Sequence, residues 1–283
     1  MLVAVKRCLG AVTRHVPVRG RYRLGEWVEA HTPDWETIVP VAMEGLPAFR
    51  LVVHPRRSPV DCFLHYCGTY EPHELRLFAS LLRPGDTVLD VGANLGLYSV
   101  LAGLIVGAGG QVHAFEPFPA MVAKLQRNLA LNGLTNVTVV PKALAARAGE
   151  GSLYLAGEPG SNSLTPGPGF AGALAVPLID LDGYLEAAGV TQPVRAMKMD
   201  IEGAELMALR GADRLLSQHR PALLLEVNPP RLAAGGGSSR ELVELLQFYG
   251  YTVEAVTADG LQPVGLERYA EPSLWTALAR GKQ

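Results

Sequence analysis

Cysteine is scarce. The three present, Cys8, Cys62 and Cys67, form no CxxC pair. That excludes a disulfide framework or a four-ligand structural zinc site and fits free thiols in a reducing cytosol. Charge is modest: 18% of residues are charged, and 25 basic side chains face 27 acidic ones for a net charge of -2. A strongly positive field for nucleic acid is therefore absent, and no nucleic-acid partner is expected. No apolar run approaches the ~20 residues of a membrane-spanning helix. No Walker loop, HExxH, nucleophile elbow or internal repeat occurs, and the glycine turn at 92–96 is not a GxGxxG.

What is present is a long, apolar chain: 283 residues, 48% hydrophobic, with 31 glycines and 21 prolines. It is long enough to bury a full core without staples. The first 23 residues hold six Lys/Arg, and no acid precedes Glu26. Lys6 and Arg7 interrupt its apolar pieces, so it is read as a solvated or packed amphipathic arm, with weak contact to a membrane surface or anionic partner as the other reading and no stable insertion. Residues 1–70 read as irregular, with short strands at 37–42 and 49–53. From Glu71 onward the pattern alternates. A helix over 71–82 precedes a strand at 87–91, and a helix then runs to Leu104. Strands follow at 111–117, 137–144, 193–201, 222–228, 251–256 and 274–280. Helices are expected over 120–132, 204–216 and 240–249. Such alternation predicts an α/β, Rossmann-like, doubly wound and mostly parallel sheet, whose ligands sit beyond the carboxyl ends of the strands. The loop at 157–172, dense in Gly, Pro and Ser, reads as a lid or an unstructured segment.

The residues just after each strand carry the chemistry. Asp90-Val-Gly92-Ala-Asn94-Leu-Gly96 makes a glycine turn into a helix. Asn94 stands where a dinucleotide fingerprint needs its second glycine, which favours a nucleoside lacking a diphosphate. Glu116 ends the next strand, 20 residues beyond Gly96, placed to accept from a ribose diol. Asp200, Glu202 and Glu205 follow the fourth strand. The latter two are also what a helix dipole attracts to a first turn. Glu226 closes the apolar run ALLL, where an ionised acid needs a partner or a cleft. Asp200 and Glu226 should sit on neighbouring strand ends. There they could orient a hydroxyl and take its proton, or share a divalent cation; no metal is predicted. His113 reads as core, whereas His65 and His73 could reach the cleft.

Together GTYEPHE, GDTVLDVGANLGLYS, VHAFEP, KMDIEGAE and LLLEVNP resemble the FkbM-type family of S-adenosylmethionine-dependent methyltransferases, over roughly residues 66–280. The resemblance implies a class I methyltransferase fold, with a seven-stranded sheet and an antiparallel last strand. It implies a methyltransferase domain over 66–283 behind an N-terminal extension, 1–65, that includes an acceptor-recognition region. The cofactor implied is S-adenosylmethionine, and the acceptor a hydroxyl of a sugar or other small metabolite. Asp90, Gly92, Asn94 and Gly96 would surround the methionine part, Glu116 the ribose, and Lys142 and Ala143 the adenine. Glu71 would face cofactor or acceptor. Asp200, Glu202 and Glu226 would lie near the reacting centre, with Asp200 also against the cofactor, and Ser161, Asn162 and Ser163 on the lid. Other readings are a cofactor-binding module without catalysis, a nicotinamide-dependent oxidoreductase and an RNA methyltransferase. A cytoplasmic location is expected, and a homodimer stays open.

Overall fold

The computed structural model describes residues 2–15, 19–157, 159–257, 259–265, 268 and 273–281. The first third is more ordered than its sequence suggests. Helices α1 (Leu2–His15) and α2 (Arg21–Ala30) precede a hairpin of β1 (Thr37–Val41) and β2 (Phe49–Val53), then helix α3 (Pro59–Cys67). The two strands fall where expected; the helices correct the irregular reading of 1–70. Their inward faces explain why they escaped notice. α1 buries Lys6, Gly10 and Thr13, and α2 buries Gly25 and Glu29, so neither turns an apolar stripe inward. Lys6 Nζ lies 2.7 Å from Glu29 Oε2, and Glu29 also accepts from the Tyr66 hydroxyl at 2.7 Å. α3 runs across position 65–66, where the sequence placed the edge of the extension.

Beyond it come α4 (Pro72–Leu81), β3 (Thr87–Val91), α5 (Leu97–Val106), β4 (Gln111–Phe115), α6 (Pro119–Leu131) and β5 (Val137–Val140). Next are β6 (Ala143–Leu144), β7 (Gly149–Leu155), β8 (Gly172–Ile179), α7 (Leu181–Ala187), β9 (Val194–Met199) and α8 (Glu205–Leu209). The chain ends with β10 (Ala222–Val227), α9 (Pro229–Ala234), α10 (Ser239–Phe248), β11 (Tyr251–Thr257), β12 (Gly260–Pro263) and β13 (Trp275–Gly281).

The main sheet has the order β12-β11-β13-β10-β9-β3-β4-β5. β3, β4, β5, β9 and β10 pair in parallel, and β13 runs antiparallel to both β10 and β11. The last strand is thus antiparallel, as expected. An eighth strand, the short β12, is added as a hairpin on the edge. Alternate residues serve opposite faces: Leu89 and Val91 enter one apolar cluster, Val88 the other.

Two expected elements break. The strand anticipated over 137–144 stops at Pro141, which lacks an N–H for the ladder. Its remainder, β6, pairs with β8 in a separate sheet of order β6-β8-β7. The loop 157–172 joins β7 to β8, strands the sequence reading passed over. The helix expected over 204–216 shrinks to α8. A side chain at Gly211 would meet the Ala145 carbonyl at 2.6 Å, so backbone packs on backbone there and the helix ends. A π-turn follows at Leu215–His219.

Candidate functional site

The order of connections reverses at β3, between β9 and β4, and a cleft opens at the carboxyl ends there. Its lining includes Glu71, Asp90, Gly92, Asn94, Glu116, Lys142, Ala143, Ser161, Asn162, Asp200, Glu202 and Glu226. Gly96 and Ser163 do not line it.

The glycine turn is forced by two close approaches. Gly92 has φ +80°, and a Cβ there would lie 1.9 Å from the Asp200 carbonyl oxygen. Gly96, at φ +95°, starts α5, and its missing side chain admits Leu125. Asn94 takes φ +50°, and its N–H donates to Glu116 Oε2 at 2.8 Å. Glu116 Oε1 accepts the Phe118 N–H at 2.9 Å. Burial nonetheless pushes the Glu116 carboxyl up to about 7, against the pull of those two donors. Asp90 accepts from Ser99 Oγ at 2.5 Å and is raised by burial to about 6.

Asp200 follows β9 and Glu226 is the last but one residue of β10, and parallel register puts Met199 beside Leu225. Asp200, Glu202 and Glu226 each offer an oxygen within 4.8 Å of the others. Between them and the glycine turn stands Lys198, which sequence reasoning missed. Its Nζ is buried, 3.4 Å from Asp200 Oδ2 and 5.2 Å from the centre of the Tyr98 ring. The signal was available: a lysine inside AMKM is as anomalous as Glu226 inside ALLLEV. Tyr98 was also missed, and nothing in its sequence context marks it. Its hydroxyl donates to Glu71 Oε2 at 2.7 Å, at a Glu71 held in the left-handed region with φ +50°.

The charges sort themselves. Burial opposes the Lys198 ammonium, but Asp200, Glu71, Glu226 and Asp90 outweigh it and hold the lysine above its ordinary range. Burial also opposes ionised Asp200, yet Lys198 and a hydrogen bond from Glu226 hold its carboxyl below the usual value. Glu226 moves the other way, raised by burial and by the Asp200 charge. Asp200 is therefore the more readily ionised of the two. Burial raises Glu71 as well, against Lys198.

The lid side is anchored from behind. Ser163 Oγ donates to the Glu202 carbonyl at 2.7 Å, and Asn162 Oδ1 accepts the Ala156 N–H at 2.9 Å. Glu202 itself sits at φ +54°, before the helix rather than in its first turn, with Oε2 3.7 Å from Arg231 Nε. Glu205 is buried and accepts from the N–H groups of Ile201 and Gly203, tying that turn. The histidines expected near the cleft do not line it. His65 is buried beside α1, its Nε2 3.2 Å from the Lys6 carbonyl, and His73 is exposed. His113 is core, its Nδ1 2.7 Å from the Tyr184 hydroxyl. Among the described residues, no helix is long and apolar enough to cross a membrane.

Residues 90–253 match the Methyltransferase FkbM domain. The chain is 28% identical over 204 residues to the 31-O-demethyl-FK506 methyltransferase FkbM of Streptomyces tacrolimicus, covering 62% of this chain and 75% of that protein. It is 29% identical over 157 residues to Methyltransferase sdnD of Sordaria araneosa, covering 44% of this chain and 60% of the relative. Among solved structures it resembles Methyltransferase FkbM from Methylobacillus flagellatus KT, with TM-score 0.43, 17% identity, and coverage of 79% of this chain and 56% of that one. The chain thus spans less than two thirds of the latter two proteins. With this match across the glycine turn, both acidic strand ends and most of the sheet, the chain belongs to the FkbM family of S-adenosylmethionine-dependent methyltransferases, of class I fold.

Proposed function

We propose that the chain methylates a hydroxyl of a small metabolite or sugar. The observation that carries this reading is the Asp200 and Glu226 carboxyl groups within 4.8 Å of each other, with Lys198 Nζ 3.4 Å from Asp200 Oδ2, on the rim of the cleft that holds the glycine turn. A relative named as a 31-O-demethyl-FK506 methyltransferase is consistent with an oxygen acceptor.

The residues present suit the cofactor. Each Glu116 oxygen accepts one backbone N–H and keeps a further lone pair for a ribose hydroxyl. Asp90, Gly92 and Asn94 border the space for the methionine portion, and Gly96 shapes that turn from behind. Lys142 and Ala143, at the break between β5 and β6, wall the base. Glu71, held by Tyr98, faces cofactor or acceptor from the floor. S-adenosylmethionine, when bound, supplies an electrophilic methyl on a sulfonium.

Asp200 takes the acceptor's proton. An alcohol oxygen that gains a methyl becomes positively charged, and its proton becomes strongly acidic. A carboxylate below its usual range is therefore basic enough, and Lys198 keeps it ionised between turnovers. Glu226, protonated, hydrogen-bonds Asp200 and orients it. Glu202 adds negative potential where positive charge develops. The acids and the cofactor turn on one rim hold the reacting groups in line, which is worth several kcal/mol of barrier.

Asp200→Asn and Glu226→Gln test this. The assay follows S-adenosylhomocysteine release over a panel of hydroxylated glycosides and alcohols. Turnover should fall roughly 10²–10⁴-fold in Asp200→Asn, while S-adenosylhomocysteine affinity by calorimetry holds within about threefold. Near wild-type turnover with intact cofactor affinity overturns the assignment.

A further inference from the structure

The cleft uses none of the outer surface of the N-terminal helices. α1 and α2 run antiparallel, tied at one end by Lys6 to Glu29 and at the other by Arg21, whose Nη1 donates to the Thr13 carbonyl at 3.0 Å. Both turn one side toward α3: Gly10 packs against His65, and Gly25 against Tyr66. Their opposite sides therefore form a common outer layer. Val5 and Val12 are 57% and 58% exposed there, Leu24 45% and Trp27 61%. Positions 5, 8 and 12, with 24 and 27, recur at helical spacing, so each helix carries an outward stripe. Arg19 and Arg23 are exposed on the turn before α2 and on α2 itself, whereas Arg7 faces the groove of Glu36 and His65. Glu26 is the exposed acid of the two helices, since Glu29 is buried against Lys6.

We infer that this layer adsorbs on an anionic lipid surface, with Trp27, Leu24, Val5 and Val12 among the headgroups and the arginines against lipid phosphates. Apolar side chains rimmed by cations match such an interface, and an aromatic with an amphipathic ring suits headgroup depth. A second copy of the chain would set arginines against arginines. An RNA would meet valine and leucine where it needs cations. The layer also has a functional outlook. Gly20, Arg23 and Phe63 line an open groove that reaches Tyr70 and Glu71, and those two also line the cleft. Docking thus lays the side entrance of the cleft at the membrane.

The test uses the full chain and two kinds of vesicle, phosphatidylcholine alone and phosphatidylcholine mixed with phosphatidylglycerol. Flotation measures partition. Tryptophan fluorescence reports Trp27, because Trp35 and Trp275 are buried. Partition onto the anionic vesicles is expected, with a blue shift, and salt should weaken it. Arg19→Gln and Arg23→Gln should each lower partition about fivefold. Val12→Glu and Trp27→Ser should reduce it further, and S-adenosylhomocysteine calorimetry confirms that the variants are folded. Absence of partition at low salt, variants that partition like wild type, or a vesicle-free dimer or RNA complex that buries Trp27 each overturns the inference. No turnover enters the assay, so failure here leaves the methyl-transfer reading untouched.

Discussion

Glu116 offers a quantitative test of how the cofactor is gripped. Burial pushes its carboxyl up to about 7, outweighing the two N–H donors of Asn94 and Phe118. A ribose diol would add two donors to the ionised form, at about 1.5–3 kcal/mol for each bond to a charged group. That is enough to return the carboxyl to roughly its ordinary 4.3, since 1.36 kcal/mol corresponds to one unit. Affinity for S-adenosylhomocysteine should then weaken about tenfold per unit as pH falls below 7, or about 80-fold between pH 8 and pH 5.

The sign can be checked on stability as well. Raised above its unfolded value, Glu116 contributes stability to the free protein that is complete below about 4.3 and lost as pH climbs through about 7. Ligand binding reverses this, so the ligand-induced rise in Tm should grow with pH. Glu116→Gln is the control. Its amide nitrogen cannot accept, which leaves one of the Asn94 and Phe118 N–H groups unpaired, at about 1–3 kcal/mol. Asp90, near 6, persists in both proteins, so the difference between their calorimetric profiles belongs to Glu116. Equal slopes in the two proteins, or a flat wild-type profile from pH 5 to pH 8, refute the grip.

Gly92→Ala should be among the most damaging small changes. It combines φ +80° with a Cβ 1.9 Å from the Asp200 carbonyl, so the ends of β3 and β9 must part. A loss above ~2 kcal/mol is expected, read as a fall in Tm of more than about 5 °C together with loss of S-adenosylhomocysteine binding. Lys198→Met leaves Glu71, Asp90, Asp200 and Glu226 without their cation. Their folded values rise, so the variant should match wild type best at acid pH and lose Tm steadily as pH climbs; a pH-independent Tm difference contradicts this. Lys6→Met leaves Glu29 buried against Trp35 and Tyr66 with no positive partner. About 3–5 kcal/mol should be lost, and most of it recovered by adding Glu29→Gln, as thermal melts can show.

How much was legible depended on which side of an element carries the signal. Parallel strands are buried on both faces, so TVLDV and ALLLEV stand out as apolar runs, and the acids ending them stand out with equal clarity. Gly92 and Glu116 were read from that logic and line the cleft as placed. The same logic failed where burial is polar. α1 and α2 turn Lys6, Thr13 and Glu29 inward beside two glycines, a pattern that leaves a solvated and a packed arm indistinguishable until the partners are seen. β7 and β8 were lost because they are mostly solvent-facing and carry two glycines in β7 and Pro177 within β8, with little alternation to detect.

The acidic constellation shows what such a reading leaves out. Glu71, Asp90, Asp200 and Glu226 taken alone describe four negative charges around one cleft, which no fold buries unaided. Lys198 resolves this, and it does so asymmetrically, since it lies beside Asp200. With the more acidic Asp200 ionised and the proton on Glu226, as the proposed reaction requires, lysine, aspartate and protonated glutamate sum to zero charge. On the proposed reaction, taking the acceptor's proton moves that trio to a single positive charge, as the sulfonium loses its own. The lysine that makes the acids tolerable therefore also selects which of them receives the proton. Lys198→Met should accordingly shift the acid limb of the turnover profile upward, whereas a purely structural lysine would lower turnover and leave that limb in place.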